Sequence, residues 1–256
     1  MIREVYKIGK APAIEDKRNI KMAAILGKGL PFPVIFDTDT NLKANLPLAM
    51  FGNDEYGDCV IAGRANQTLR FEFFEQKKIV PITTQNVLTE YWYEEGGTGP
   101  NYDNGLAMLT SLKIWRKRGW KLSDGNNYTI YAYAQINPKD MNEVKAAIYY
   151  LNGIMIGLEL PISADDQLQN NQTWDVVAGP DGEAGSWGGH CVYVCGYNAI
   201  GPVCVTWAMK QQMTWNFFKT YCDEAYGIID SPDKWVSNDP INLKVLTTEL
   251  AAIEKM

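Results

Sequence analysis

The order of helix-like and strand-like segments constrains the fold of this chain more than any single motif does. Apolar residues at helical spacing predict helices over residues 59–77, 84–94, 106–118 and 139–151. After Gly153, short apolar runs bounded by turn residues predict strands over residues 154–160, 190–196, 203–207 and 225–229. A run of helices followed by a run of strands favours an α+β fold over a doubly wound sheet.

The same pattern predicts how the chain is divided. Residues 1–48 are mixed in character and predict an irregular arm, because four prolines punctuate them: Pro12, Pro31, Pro33 and Pro47. Residues 49–256 are then expected to form one domain, mainly helical over 49–138 and mainly β over 139–256. Thr84 is expected to cap the second helix. We expect the arm to pack on the body of the protein rather than to cover a cleft.

Composition and charge exclude several classes of protein. Hydrophobic residues make up 46% and charged residues 21% of the 256 residues, which is typical of a globular chain and not of a disordered one. The net charge of −6 and the absence of a large basic cluster argue against nucleic acid as a partner. The apolar runs are far shorter than the ~20 residues that a membrane helix needs, so we expect no membrane span.

Cysteine usage and the first residues bear on the cellular compartment. Five cysteines are an odd number, which argues for free thiols and against a disulfide framework. Charged residues interrupt the first 18 positions, where an export signal would carry an apolar stretch. We therefore expect the cytoplasm or another reducing compartment, with incorporation in a larger assembly left open.

Two residues are the strongest candidates for catalysis. His190 is the single histidine of the chain, so any nucleophile that needs an imidazole must use it. Cys59 is expected at the N-terminus of a long helix, where the helix dipole and free N–H groups favour a thiolate. The competing interpretations are a structural histidine in the core and an inert buried thiol, which we adopt for the four other cysteines.

The segments around these residues resemble those of the papain and cathepsin family of cysteine peptidases. Asn53 in GNDEYGDC lies six residues before Cys59, as the oxyanion-hole glutamine does in that family, and Gly57 matches the small residue in the approach. His190 follows Cys59 by 131 residues (190 − 59), within the family's range of about 130–150. The family's histidine strand resembles GGHCVYVCGYN, which includes Gly189.

The resemblance extends in the same order from about residue 50 to residue 230. The segment YDNGLAM resembles the Asn-Gly-Gly segment that lines the family's cleft, with Gly105 at the second glycine and Asn104 replacing the first. VCVTWAMKQQMTW resembles the Asn-Ser-Trp-Gly segment, in which Trp207 matches the indole that shields the histidine, and DEAYGII resembles the closing strand. The fold implied is a helical half packed against an antiparallel, β-barrel-like half, with the active-site cleft between them.

Two departures from the family pattern concern the chemistry. Val205 or Thr206, depending on how the gap is placed, stands where the family has the asparagine that orients its histidine. Thr206 is the better candidate, since its hydroxyl can accept a hydrogen bond from the imidazole. Asn53 is one methylene shorter than the family's glutamine, yet must still reach within about 3 Å of the developing oxyanion.

The resemblance implies a cysteine peptidase or amidase that acts on a peptide or protein substrate through an acyl-enzyme thioester. Cys59 would be the nucleophile, His190 the general acid and base, and Asn53 an oxyanion donor. Substrate would be bound by a second set: Asn104, Gly105, Trp187, Gly189 and Trp207. The alternatives are an inactive module that serves as an interaction component of an assembly, and acyl transfer to an amine instead of water.

Other reactive groups give weaker hypotheses, and no cofactor or metal is expected. Ser186 in AGSWG is followed by glycines and a strand, whereas a nucleophile elbow needs a helix there. Cys191 and Cys195 would lie about 13 Å apart on a strand, too far to share one ion with His190. Asp181 and Glu183 lack the alternating ligands of a calcium loop.

Overall fold

The computed structural model describes residues 6–231 and 240–254 of the chain. Its helices, in chain order, are α1 (Met22–Ile25), α2 (Thr38–Leu42), α3 (Cys59–Gln76), α4 (Thr84–Glu94), α5 (Met108–Arg118), α6 (Met141–Tyr150), α7 (Ile162–Gln169), α8 (Trp215–Tyr221) and α9 (Leu243–Glu254). Its strands are β1 (Phe36–Asp37), β2 (Trp120–Lys121), β3 (Asn127–Tyr128), β4 (Ala132–Gln135), β5 (Ile154–Leu160), β6 (Gly188–Tyr197), β7 (Pro202–Thr206), β8 (Met209–Gln212) and β9 (Cys222–Ile229). Of the helices described, none has the length and apolar character needed to cross a membrane.

The four predicted helices are present as α3, α4, α5 and α6, with small differences at their ends. The cap of α4 is Thr83 and not Thr84. The Thr83 hydroxyl accepts the Asn86 N–H at 3.2 Å, and the Asn86 side chain accepts the Thr83 N–H at 3.1 Å, so the two residues form a capping box. The carboxylate of Asp140 caps α6 by accepting the N–H groups of Asn142 and Glu143.

Helix α3 is buried on all sides over residues 59–72, whereas its sequence predicted a single apolar face. Its two arginines are buried because each has an opposite charge beside it. The Arg64 guanidinium contacts Glu90 at 3.1 Å and Glu94 at 2.5 Å, and Arg70 donates to Asp39 at 3.1 Å. Paired and hydrogen-bonded charges are the form in which ionised groups enter a protein interior.

The β half is an open antiparallel sheet. Its order is β4-β9-β5-β6-β7-β8, with β1 added beside β6. The predicted barrel-like closure is wrong, since β4 and β8 end the sheet and do not pair with each other among the described residues. The expectation of an α+β fold is confirmed, while the division of the chain at residue 49 stays a prediction.

The packing of α3 against β6 places the candidate site. The side chains around α3, α4 and α5 form one core, which includes Trp115 and Tyr91. Those on the other side of the sheet form a second core, which includes Trp174 and Phe217. Where the first turn of α3 meets the first residues of β6, the two elements bring Cys59 and His190 into the same region.

Candidate active site

A tight turn over residues 50–58 delivers Cys59 to the first position of α3. Phe51 and Gly52 have φ values of 60° and 99°, the left-handed region that tight turns use. The Gly57 N–H donates to Asp103 at 2.8 Å and fixes the end of the turn. The sulfur of Cys59 accepts the backbone N–H of Cys191 at 3.4 Å, so α3 contacts β6 at the residue that follows His190.

The imidazole of His190 is held by Thr206. Its Nε2 shares a hydrogen bond of 2.7 Å with the Thr206 hydroxyl, and its Nδ1 has no hydrogen-bond partner among the described residues. Of the two candidates, Thr206 contacts the ring, whereas Val205 packs in an apolar cluster. A hydrogen bond on one ring nitrogen orients the ring and leaves the other nitrogen available.

Two tryptophans cover the imidazole. Trp207 stacks on His190 with ring centroids 4.1 Å apart and an angle of 8° between the planes. Trp187 stacks on Trp207 with ring centroids 5.5 Å apart. Trp207 and Ala208 form the two-residue turn between β7 and β8 with φ values of 42° and 60°, a conformation that glycine and asparagine adopt more readily. Such strain in non-glycine residues persists where the surrounding structure holds it.

Both reactive groups are buried and uncharged in this structure. Cys59 is 1% exposed and burial raises the pKa of its thiol to about 12. His190 is 0% exposed and burial lowers the pKa of its imidazole to about 3. The thiolate expected at the tip of α3 is therefore not the form of Cys59 in this state, because desolvation outweighs the stabilising N–H groups.

Residues 6–11 of the N-terminal arm cross the site and contact both of its walls. A Cβ built on Gly9 would lie 1.9 Å from the Gly57 carbonyl oxygen, and one built on Gly105 would lie 2.0 Å from the Gly9 carbonyl oxygen. A Cβ on Gly189 would lie 2.2 Å from the carbonyl oxygen of Lys10. The expectation that the arm packs away from the cleft is wrong, since backbone meets backbone at glycines on both walls.

Asn53 and Asn104 make their hydrogen bonds to residues other than Cys59 and His190. The Asn53 side-chain N–H donates to the Tyr56 carbonyl at 3.0 Å, so this amide is engaged within its own turn. Asn104 is exposed, and its backbone N–H donates to Glu95 at 2.7 Å. The structure thus joins His190 to Thr206 and places the Cys59 sulfur against the backbone of Cys191, the residue after His190. The flanking residues that the sequence analysis also named are Gly105, Trp187, Gly189 and Trp207.

Two features of the site were missed at the sequence level. Asp58, the residue before Cys59, is 0% exposed, and burial raises the pKa of its carboxyl group well above the ordinary value. Lys10 of the arm is 5% exposed and reaches the carboxylates of Glu159, Asp223 and Glu224. One acidic residue before a cysteine is not a sequence motif, so Asp58 could not be singled out. The contacts of Lys10 could not be predicted either, because they join residues more than 140 positions apart.

The weaker candidates stay outside the chemistry. The Ser186 hydroxyl accepts the Ile162 N–H at 2.9 Å and thereby supports the start of α7. Within residues 6–231 and 240–254, no group of three His, Cys, Asp or Glu side chains has the geometry to hold a metal ion. The same residues contain all five cysteines, each a free and buried thiol.

The overall fold is that of the papain-like cysteine proteases. Xylellain, a cysteine protease from Xylella fastidiosa, superposes with a TM-score of 0.66 over 90% of this chain and 98% of its own, at 17% sequence identity. Procathepsin B S9 from Trypanosoma congolense superposes with a TM-score of 0.59 over 88% of this chain and 87% of its own, at 11% identity. The predicted fold family is therefore confirmed.

A third solved structure, a cysteine protease of Carica candamarcensis in complex with E-64, gives a TM-score of 0.55 at 13% identity and covers 78% of this chain and 100% of that one. Comparison of the sequence with protein-family models gives no match, and neither does comparison with curated proteins. The chain thus has this fold with a divergent sequence, and its activity has to be argued from its own residues.

Proposed function

We propose that this protein is a cysteine peptidase or amidase, with Cys59 as the nucleophile and His190 as the general acid and base. The observation that carries the proposal is the contact of 3.4 Å between the Cys59 sulfur and the N–H of Cys191, the residue that follows His190. The Nδ1 of His190 is unbonded among the described residues. A nucleophile beside a base that a third group orients is the arrangement that acyl transfer needs. The described state is the one in which the arm covers this arrangement.

The proposed reaction has two steps. With the arm displaced and the site solvated, His190 takes the Cys59 proton, and the sulfur attacks the carbonyl carbon of a peptide bond. The carbon–nitrogen bond breaks as His190 returns the proton to the leaving amine, which leaves an acyl thioester on Cys59. His190 then takes a proton from water, the hydroxide attacks the thioester, and the sulfur leaves with the proton that His190 returns.

The surrounding residues have supporting roles in this proposal. Thr206 positions the imidazole through its bond to Nε2. The Asn53 amide and the Cys59 backbone N–H are proposed to hold the oxyanion, for which the Asn53 side chain turns away from Tyr56; one such donor is worth roughly 100- to 1,000-fold in rate. Gly105 and Gly189, together with Trp187 and Trp207, would contact a peptide in the space that the arm fills. Asn104 is proposed to act at the outer end of that space.

The test is peptide hydrolysis by a full-length chain whose arm has been displaced. Gly9→Val puts a side chain where only a hydrogen atom is accommodated, 1.9 Å from Gly57. We expect this variant to hydrolyse a mixed peptide pool, Cys59→Ser to abolish the hydrolysis, and Cys195→Ser, which alters a buried thiol of β6, to retain it. A folded Gly9→Val chain with a reactive Cys59 and no hydrolysis would contradict the proposal.

The second candidate is a papain-like module that binds peptide without cleaving it. The observation in its favour is that the third member of the triad is the hydroxyl of Thr206, which holds an imidazole less firmly than an amide does. The same experiment separates the two functions. Binding of peptides in the absence of any product would favour the module, and acceleration of product formation by an added amine would favour acyl transfer.

A further inference from the structure

Residues 6–11 of the arm are bound as an extended peptide is bound by an enzyme. The Leu106 N–H donates to the Gly9 carbonyl at 2.8 Å, and the Ala11 N–H donates to the Leu106 carbonyl at 2.9 Å. On the opposite wall, the Lys10 N–H donates to the Gly189 carbonyl at 3.0 Å. Main-chain bonds of this kind hold a peptide of any sequence, so selectivity has to come from the pockets that receive its side chains.

One side chain of this segment enters a pocket that matches it in charge. The Lys10 ammonium lies 2.7 Å from Asp223, 3.3 Å from Glu159 and 3.5 Å from Glu224, and the side chain is 0% exposed. Gly157 makes room for its stem, because a Cβ there would lie 2.6 Å from the Lys10 Cε. We call this set of residues, Gly157, Glu159, Asp223 and Glu224, the acidic pocket.

The backbone of the sheet builds the acidic pocket. Successive residues of a regular strand point to opposite faces, so Asp223 and Glu224 of β9 would not both reach one ammonium. The register of β9 against β5 shifts between Gly157 and Leu158: Gly157 pairs with Glu224 and Leu158 with Cys222, which leaves Asp223 as an additional residue. A bulge of this kind re-aims a side chain and is typical of strands beside active sites.

The charge of the pocket exceeds what Lys10 needs. Three carboxylates face one ammonium, a formal charge of −2 when all are ionised and −1 when Glu224, whose pKa burial raises, is protonated. Burial opposes the ionisation of Lys10, yet the hydrogen bond and charge of Asp223, with Glu224 and Glu159, raise its pKa to about 12. A guanidinium, with five N–H donors, would satisfy more of these oxygens than the three donors of an ammonium.

We propose that the acidic pocket is the subsite in which this protein receives a lysine or arginine side chain of its peptide substrate, and that Lys10 occupies it when no substrate is bound. The inference rests on the proposed function for the presence of a peptide in the cleft. Recognition of the basic side chain is a separate property, because it can be measured by peptide binding in the absence of hydrolysis.

The test measures how peptides protect Cys59 from iodoacetamide in the full-length Gly9→Val chain, whose own arm is displaced. The probes are the capped peptide Tyr-Lys-Ile-Gly-Lys-Ala, which copies residues 6–11, and the same peptide with norleucine in place of the second lysine. We expect the lysine peptide to protect Cys59 at a concentration at least about 10-fold lower, because a charge-assisted hydrogen bond is lost with norleucine. Arginine at this position should protect at least as well as lysine.

Variants of the pocket assign the effect. Asp223→Asn should reduce the preference for lysine to about threefold or less, whereas Asp181→Asn, at an exposed carboxylate of the 3₁₀ helix Pro180–Gly182, should leave it unchanged. If Gly9→Val does not fold, the same comparison is made with Lys10→Met, which empties the pocket of its cation.

The outcomes separate this inference from the proposed function. Equal protection by the lysine and norleucine peptides, or protection by neither at millimolar concentration, overturns the inference whether or not peptides are hydrolysed. Selective protection without hydrolysis supports the inference and contradicts the proposed peptidase. Hydrolysis that does not distinguish lysine from norleucine supports the peptidase and contradicts the acidic pocket as its subsite.

Discussion

Replacing Gly9 by valine is predicted to release the arm and make Cys59 the most reactive thiol of the chain. The new Cβ would lie 1.9 Å from the Gly57 carbonyl oxygen and 2.4 Å from the Gly57 Cα. Both are backbone atoms of the turn that precedes α3, so the clash cannot be relieved by moving a flexible side chain. The arm has to leave the cleft, and its departure exposes the Cys59 sulfur to solvent.

The magnitude follows from the protonation of the thiol. In the covered state burial raises the pKa of Cys59 to about 12. A solvated cysteine has a pKa of about 8.5, so at pH 7.5 the thiolate fraction rises from about 3 in 100,000 to about 1 in 10, a factor of roughly 3,000. Spontaneous opening of the wild-type arm lowers the measured factor, and we expect an increase in alkylation rate of at least about 30-fold.

The assay is site-resolved alkylation by iodoacetamide, read by mass spectrometry in native conditions. The four other cysteines are internal controls, because each is buried and burial raises the pKa of its thiol: Cys191, Cys195, Cys204 and Cys222. Gly99→Val is the matched control variant, since a Cβ at Gly99 meets no atom within 4 Å. Circular dichroism and the urea midpoint establish that each variant is folded.

A folded Gly9→Val chain in which Cys59 reacts less than about three times faster than in the wild type would contradict this prediction. The prediction would also be refuted by equal acceleration of all five cysteines, which would indicate general unfolding and not release of the arm. Acceleration by Gly99→Val would show that the effect is not specific to the covered cleft.

Three further predictions concern stability, measured by urea unfolding. Burial lowers the pKa of His190 to about 3, so acid protonates the imidazole in the unfolded state before it does so in the folded state. Between pH 7.5 and pH 4.5, the free energy of unfolding of the wild type should therefore fall by about 2–3 kcal/mol more than that of His190→Gln. Parallel plots of unfolding free energy against pH for the two proteins would contradict this. Thr206→Val should destabilise by about 1–3 kcal/mol by leaving Nε2 unbonded, whereas Thr206→Ser, the control, retains the bond. Arg64→Met should destabilise by about 3–5 kcal/mol because Glu94 stays buried without its cation and Glu90 keeps only Arg118, and a loss under 1 kcal/mol would contradict the pairing.

Helices α3, α4, α5 and α6 and strands β5, β6, β7 and β9 could be predicted because their signals are local, whereas the 12-residue α9 was not predicted. Helical spacing, strand-like runs and the glycines that follow them are properties of short windows of sequence. α7, α8 and β8 were missed, since each has eight residues or fewer and too few turns to establish a period. The full burial of α3 was not predicted, because a charged residue such as Arg64 is expected to face solvent unless its partner on α4 is known.

The site was predicted in part for a similar reason. Cys59 and His190 could be named because one is expected to begin a helix and the other is the single histidine. The orienting residue could be narrowed only to Val205 or Thr206, which are adjacent in sequence but differ in the face of the strand that they occupy. The hydrogen bond to His190 depends on how β7 lies against β6, and no local pattern specifies it.

By itself, the sequence determined the α+β order of the chain and the pair of residues, Cys59 and His190, that we propose for acyl transfer. Tertiary structure decided that residues 6–11 lie in the cleft, that Cys59 and His190 are uncharged there, and that Lys10 meets Asp223, a residue 213 positions away. The physical reason is that periodicity and capping act over a few residues, whereas burial and charge pairing depend on which distant segments the fold brings together.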